Sequence, residues 1–218
     1  MTRVRVGIAP RSQPFDESMD SLMAAIRFAA DAGISTTMEK VRGGAPGFQN
    51  YGPFIAHLLE SDETHLFVAA DDVVYPPDTI ARLVKADKDV ICGIYRKNLV
   101  NDICPANFGD GTAESFLNRL KEGGIYPTDL ASGHSMTIRR GVFEKMILDY
   151  PELAYKQGES LFHALFLPMV YEGNCFQDDW AFSLRARRSG FTLWDDFGCK
   201  LKHFCSDFLG FEALEGRQ

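Results

Sequence analysis

The sequence has no apolar run that reaches the roughly 18 residues a membrane-spanning helix needs, so no transmembrane span is expected. It has few cysteines. The five (Cys92, Cys104, Cys175, Cys199, Cys205) are odd in number and contain no Cys-x-x-Cys pair. That argues against a disulfide framework or a zinc ribbon and leaves buried thiols as the plain reading. The opening MTRVRVGIAP carries no signal-peptide core, so a cytoplasmic location is expected. Positive charge is not in excess: 23 Lys+Arg stand against 30 Asp+Glu, a net charge of −7. A surface that coats nucleic acid or an anionic membrane is therefore disfavoured, while a local basic groove is not. No repeat of 20–50 residues and no low-complexity linker is present. Neither G-x-S-x-G, Walker A nor H-E-x-x-H occurs, which removes the nucleophile elbow, the P-loop and the zincin helix from consideration.

What is present is a chain of 218 residues, 45% hydrophobic and 12% aromatic, enough for one large domain with a true core. Short strands alternate with longer helices. Val4 to Ala9 reads as a first strand, and Leu22, Met23, Ile26, Ala29 and Ala30 recur at helical spacing before a stop at Gly33. Phe48 to Glu60 is a second helix, and His65 to Ala70 has the continuous apolar character of a strand buried on both faces. A helix over Asp78 to Ala86, started by Pro76-Pro77, and a strand over Asp89 to Tyr95 complete the first half. The pattern predicts an α/β fold, a Rossmann-like, mostly parallel sheet flanked by helices. The second half reads as loop over Asn98 to Pro127 with one helix near Ser115 to Lys121, then a strand over His134 to Arg139 and a helix over Val142 to Asp149. Tyr150 to Cys175 carries no clear signal. A helix over Asp178 to Arg188 and two short strands, Phe191 to Trp194 and Lys200 to Phe204, close the domain, with 207–218 as a tail.

Three stretches carry chemistry. In LFVAADDVVYPPD, Asp71 and Asp72 stand where an apolar strand stops. Ligands of open α/β sheets collect at such strand ends, and a carboxylate there coordinates a divalent cation able to neutralise a diphosphate. An acidic turn before Pro76 would also serve simply as a cap. In QDDWAFSLRARR, Asp178 and Asp179 open an amphipathic helix; one suits the helix dipole, and the other is placed to act as a general base. Trp180 beside them is either core or a flat face for a ligand. In CKLKHF, His203 is either a structural residue or a metal ligand, and Lys200 and Lys202 either answer phosphate charge or solvate an edge. Between these, Gly133 in ASGHS permits close approach of a neighbouring backbone or a ligand.

Taken in order over roughly Val4 to Phe204, these motifs resemble the GT-A glycosyltransferases, close to family two and its compact phage-like members. The resemblance implies a single GT-A domain over 1–206, with a nucleotide-sugar half at about 1–97 and a smaller acceptor half at about 98–206. It also implies a divalent metal, Mn²⁺ or Mg²⁺, and a nucleotide-sugar donor, expected to be a UDP-sugar. The family's Asp-x-Asp motif falls on Ala70-Asp71-Asp72, so its first position is Ala70. By resemblance Asp72 and His203 bind the metal, Asp71 lies beside the nucleotide sugar, and Asp179, with Asp178, supplies the catalytic base of an inverting transfer. Pro10, Arg11, Gln49, Asn50 and Lys202 would meet the donor; Gly133, His134 and Trp180 would meet the acceptor. Among compact phage-like members are enzymes that glycosylate 5-hydroxymethylcytosine in DNA. Such DNA is the leading acceptor, and a phage-encoded chain would work in the bacterial cytoplasm. Lys97, Arg139, Arg140, Arg185, Arg187 and Arg188 are the basic residues that would hold the DNA. A surface polysaccharide, a protein side chain or a non-catalytic nucleotide-sugar- or glycan-binding role are the alternatives.

Overall fold

The computed structural model describes residues 2–9, 15–41, 47–95, 113–204 and 208–209, the side chains of 47–50, 113 and 208–209 excepted. Strand β1 is Arg3–Ile8, and its alternate residues Val4, Val6 and Ile8 are fully buried. Helix α1 (Asp16–Asp31) buries Leu22, Ala25 and Ala29 and ends beside Gly33, whose φ of +81° lets the chain reverse. Strand β2 (Ser35–Lys40), helix α2 (Gly47–Glu60) and strand β3 (His65–Ala69) follow. Then come β4 (Val73–Val74), α3 (Thr79–Lys85) and β5 (Val90–Ile94). The later elements are α4 (Ala113–Glu122), β6 (Ile125–Thr128), β7 (Thr137–Arg139) and α5 (Arg140–Asp149). Two hairpins, β8 (Ala154–Gln157) with β9 (Ser160–His163) and β10 (Met169–Tyr171) with β11 (Asn174–Phe176), precede α6 (Asp178–Arg188). Strands β12 (Leu193–Lys200), β13 (Lys202–Phe204) and β14 (Phe208–Leu209) close the order.

The main sheet has seven strands in the order β2-β1-β3-β7-β5-β12-β6. Five run one way; β7 and β6 run against them. The fold is thus the expected mixed α/β arrangement with a mostly parallel sheet. Helices α1 and α3 cover one face through Leu22, Ile80 and Leu83. The other face is covered by α2, α5 and α6 through Phe54, Phe143 and Phe182. Gly7 shows how tight that second layer is: a Cβ there would sit 2.7 Å from the Phe54 ring. Truncating Phe54, which is 0% exposed, would cost about 3–5 kcal/mol.

The structure corrects several expected elements. Strand β2 is an edge strand whose mostly exposed residues give no core stripe. Strand β6 lies where loop was expected; it accommodates Pro127 because, among the described residues, it is an edge strand paired on one side only. The two short closing strands are displaced: β12 runs continuously from Leu193 to Lys200, so Phe191 and Thr192 fall before it. The segment without signal holds two hairpins, the second turning through Glu172 and Gly173, both at positive φ. Helix α3 begins at Thr79, with Pro76 and Pro77 ahead of it. The sheet draws β6, β7 and β12 from beyond residue 97, and β7 sits between β3 and β5. The segment 98–112 and most of the tail lie outside the described residues.

Candidate active site

Strands β1 and β3 run side by side and end together at Ile8 and Ala69. The chain after β3 turns through Ala70, Asp71 and Asp72 before β4, and these residues line a cleft with Ala9, Gly133 and Asp179. A larger hollow of about 400 Å³ lies at the opposite end of the sheet, by Arg119, Thr128 and Leu193. It contains no group of clustered metal-ligating side chains among the described residues.

Three side chains converge at the cleft: Asp72, His134 and His203, with one ligating atom from each lying within 4.8 Å of the others. Each arrives from a different element for a local reason. Asp72 sits in the turn between β3 and β4. His203 is brought beside it because β13 pairs antiparallel with β4, placing His203 opposite Val73, and because the Phe204 N–H donates to the Asp72 carbonyl at 2.8 Å. His134 lies just ahead of β7, whose antiparallel run alongside β3 starts next to the end of β3. The distances are 3.5 Å from His203 Nε2 to Asp72 Oδ2 and 3.9 Å from His134 Nε2 to Asp72 Oδ1.

The surroundings hold these groups in place. Ser132 Oγ lies 3.0 Å from His134 Nδ1, fixing which ring nitrogen is left for the cleft. Tyr95 packs against both imidazoles, with ring centres 4.3 Å from His134 and 5.1 Å from His203. The Tyr75 hydroxyl accepts the Ala70 N–H at 2.7 Å and reaches the His134 carbonyl at 2.9 Å, tying the acidic turn to the loop 131–135. Burial, reinforced by the charges of Asp72 and Asp71, raises the Tyr75 phenol well above its ordinary range, so it remains a neutral donor. Two imidazoles and a carboxylate, each partly open to solvent, form a donor set that fits a divalent cation.

Asp179 forms the other wall. Its Oδ2 accepts the Gly133 N–H at 3.0 Å, and its Oδ1 accepts the Trp180 N–H at 2.9 Å. Desolvation raises its pKa to about 6; the Gly133 hydrogen bond works against that rise and the charge of Asp178 adds to it. A carboxylate tuned this way is an effective general base near neutral pH. Asp178 also lies in the first turn of α6, its Oδ1 accepting the Asp179 N–H at 3.0 Å. Gly133 is small for a visible reason, since a Cβ would lie 3.1 Å from the Asp179 Cβ.

Of the residues expected from sequence, Asp71, Asp72, Gly133, His134, Asp178 and Asp179 line the cleft, and His203 adjoins Asp72. His134, expected on the acceptor side, stands with the candidate metal ligands. Trp180 is half-buried and lies outside the cleft lining, and Lys202 is exposed, one residue from His203 on a strand whose side chains alternate in direction. Pro10 and Arg11 lie outside the described residues, as do the side chains of Gln49 and Asn50, whose backbone is in α2. The described arginines expected to hold DNA are engaged with carboxylates, backbone carbonyls or a ring. Arg139 pairs with Asp87 and lies 3.7 Å from Asp89, while Arg140 donates to the Leu59 and Ser61 carbonyls, both at 2.6 Å. Arg185 is buried and donates to the Leu167 carbonyl at 2.6 Å, Arg187 pairs with Asp129 at 2.7 Å, and Arg188 lies over the Tyr171 ring. Lys97 lies outside the described residues. Sequence reasoning missed Ser132, Tyr75 and Tyr95; only the Ser-x-His spacing of Ser132 and His134 hinted at one of them.

No protein-family model and no curated protein matches the chain. Among solved structures, the inositol-1-phosphate CTP transferase from T. maritima overlays 88% of this chain and 89% of its own, at 8% identity and a TM-score of 0.38. The functional reading therefore rests on the site's own residues.

Proposed function

We propose that the chain is a metal-dependent, inverting glycosyltransferase that moves a sugar from a nucleoside-diphosphate sugar to an acceptor hydroxyl. One observation carries the reading: the loop 131–135 joins two catalytic requirements, its Gly133 amide holding Asp179 and its His134 ring facing Asp72. The cleft also lies where α/β sheets take nucleotides, at the carboxyl ends of adjacent parallel strands. Asp72, His134 and His203 would hold the cation, which when bound supplies positive charge to a diphosphate leaving group. Asp179 takes the proton from the acceptor hydroxyl as that oxygen attacks the anomeric carbon. The carbon–oxygen bond to the diphosphate breaks in the same displacement, so the anomeric configuration inverts. The sequence resemblance to GT-A enzymes supports the same assignment. The described arginines expected to hold DNA are engaged with carboxylates, carbonyls or an aromatic ring, so nothing among the described residues favours DNA over another hydroxyl acceptor.

Thermal unfolding with a panel of nucleoside diphosphates, each with and without a divalent metal, tests the donor site. A ligand at about 100 times its dissociation constant adds about 2.7 kcal/mol, a rise of roughly 5–10 °C for a chain of this size. A metal-dependent rise with one nucleotide, lost in Asp72→Ala, supports the reading. No rise with any nucleotide overturns it.

A further inference from the structure

The cluster says more about the ion than that it is divalent. Of its three donors two are imidazole nitrogens, and the adjacent carboxylate of Asp71 does not join them. We infer that the site is built for a late first-row dication such as Zn²⁺ or Co²⁺ in preference to Mg²⁺ or Ca²⁺, and that His134 is the residue that sets this preference. The inference deepens the reading above at the same site. Oxygen-rich sites suit Mg²⁺ and Ca²⁺, whereas imidazole favours the later transition metals.

Three features single out His134. Its Nε2 faces Asp72 Oδ1 while that of His203 faces Oδ2, and the two imidazoles stand edge to face with ring centres 5.2 Å apart, so both present a nitrogen to the one carboxylate. Donors around a tetrahedral ion bound at about 2.1 Å are about 3.4 Å apart; one donor atom from each of Asp72, His134 and His203 lies within 4.8 Å of the others, a set that side-chain rotation draws together around an ion. Its other nitrogen is already engaged at 3.0 Å by Ser132, the arrangement that orients a ligating histidine. Finally, the acidic turn offers no side-chain donor at Ala70, whose backbone N–H is held by Tyr75. The third ligand therefore comes from across the cleft as nitrogen.

The test uses the full chain, stripped of metal by a chelator, with Co²⁺, Zn²⁺, Mg²⁺ and Ca²⁺ titrated by calorimetry and the Co²⁺ complex followed by its visible absorption. The wild type should bind Co²⁺ and Zn²⁺ at least about 100-fold more tightly than Mg²⁺. His134→Ala should lose about tenfold or more of the Co²⁺ affinity and alter the absorption bands while leaving Mg²⁺ binding nearly unchanged. His134→Asp, with its added carboxylate, should narrow the Co²⁺-to-Mg²⁺ ratio by about tenfold or more. Unfolding curves establish that each variant is folded; were His134→Ala unfolded, His134→Asp and the Ser132→Ala variant would decide. Co²⁺ spectra and affinity ratios that are unchanged across the variants, or no Co²⁺ binding by the wild type, overturn the inference. Repeating the series with nucleoside diphosphates keeps the two readings apart. Nitrogen-ligated metal with no nucleotide binding defeats the transferase alone, and nucleotide binding supported equally by Mg²⁺ in His134→Ala defeats the inference alone.

Discussion

At the residue scale the site turns on Asp179 and the glycine that faces it. Desolvation puts the Asp179 pKa at about 6, and a base must be unprotonated to act. Transfer should therefore rise with pH through about 6 and level above it, and the initial-rate profile of kcat/KM checks this. Asp179→Asn removes the base and should lower kcat by about 10²–10⁴-fold with donor-induced stabilisation retained; an unchanged kcat would remove Asp179 from the mechanism. Gly133→Ala places a methyl 3.1 Å from the Asp179 Cβ and opposes the hydrogen bond to its Oδ2. Its expected effect is loss of activity at a stability cost of about 1–3 kcal/mol, visible as an activity loss far larger than the fall in melting temperature explains. These residues differ in how well the sequence exposes them. Asp72, Asp179 and His203 are legible as members of an ordered set of motifs, since each alone would serve equally well as a cap or a structural residue. His134 is not, because its chemistry depends on a through-space meeting with Asp72, far from it along the chain, and nothing in ASGHS announces that meeting.

At the scale of elements, periodicity reveals what is buried on one face and misses what is exposed. Helices α1, α2 and α6 and strands β1, β3 and β5 carry clear apolar patterns and lie within a few residues of where the sequence puts them. The β8–β9 hairpin has only half-buried and exposed residues and gives no such pattern. Its place is set instead by a contact with α2 at Gly52, where a Cβ would lie 2.5 Å from the Tyr155 hydroxyl and 3.3 Å from the Phe162 Cβ. Gly52→Ala should push the hairpin off the helix and cost about 1–3 kcal/mol in urea unfolding. The Tyr155 hydroxyl is buried without a hydrogen-bond partner among the described residues, so Tyr155→Phe alone should be neutral or stabilising. Combined with Gly52→Ala it should recover part of the loss, a coupling that a double-mutant cycle measures. Additive effects would show that the hairpin does not rest on Gly52.

At the scale of the whole molecule, the sheet hides its own centre from sequence reading. Strand β7 runs antiparallel between β3 and β5 although it follows them both in the chain, and β12 is drawn beside β5 from nearly a hundred residues away. Local pattern cannot encode such order, and the consequence is a pair of carboxylates inside the sheet. Asp196 is answered by Arg82 through a two-point contact at 2.5 and 2.9 Å. Asp195 is 1% exposed, its Oδ1 taking the Cys92 S–H at 3.0 Å while its Oδ2 makes no well-formed hydrogen bond among the described residues. Desolvation drives its pKa up to about 7, with Cys92, Thr128 and Arg119 only moderating the rise. Between pH of about 4 and 7 the folded chain therefore holds a proton on Asp195 that the unfolded chain has released, and stability from this group falls as pH rises. Asp179, raised to about 6, works in the same direction over a narrower window. His65, lowered to about 4 by burial and by the charge of Arg139, works in the opposite one, since below pH of about 6.5 it is the unfolded chain that gains the proton. The three partly offset below pH 6.5, and above it the loss from Asp195 is no longer opposed by His65. Urea unfolding should accordingly show stability falling from pH 6.5 to 8, and the difference between the wild type and Asp195→Asn should shift in favour of the variant by a few kcal/mol between pH 4 and 8. A difference that stays constant with pH would mean that Asp195 is ionised throughout, held by a partner inside the sheet that removes the cost of its burial.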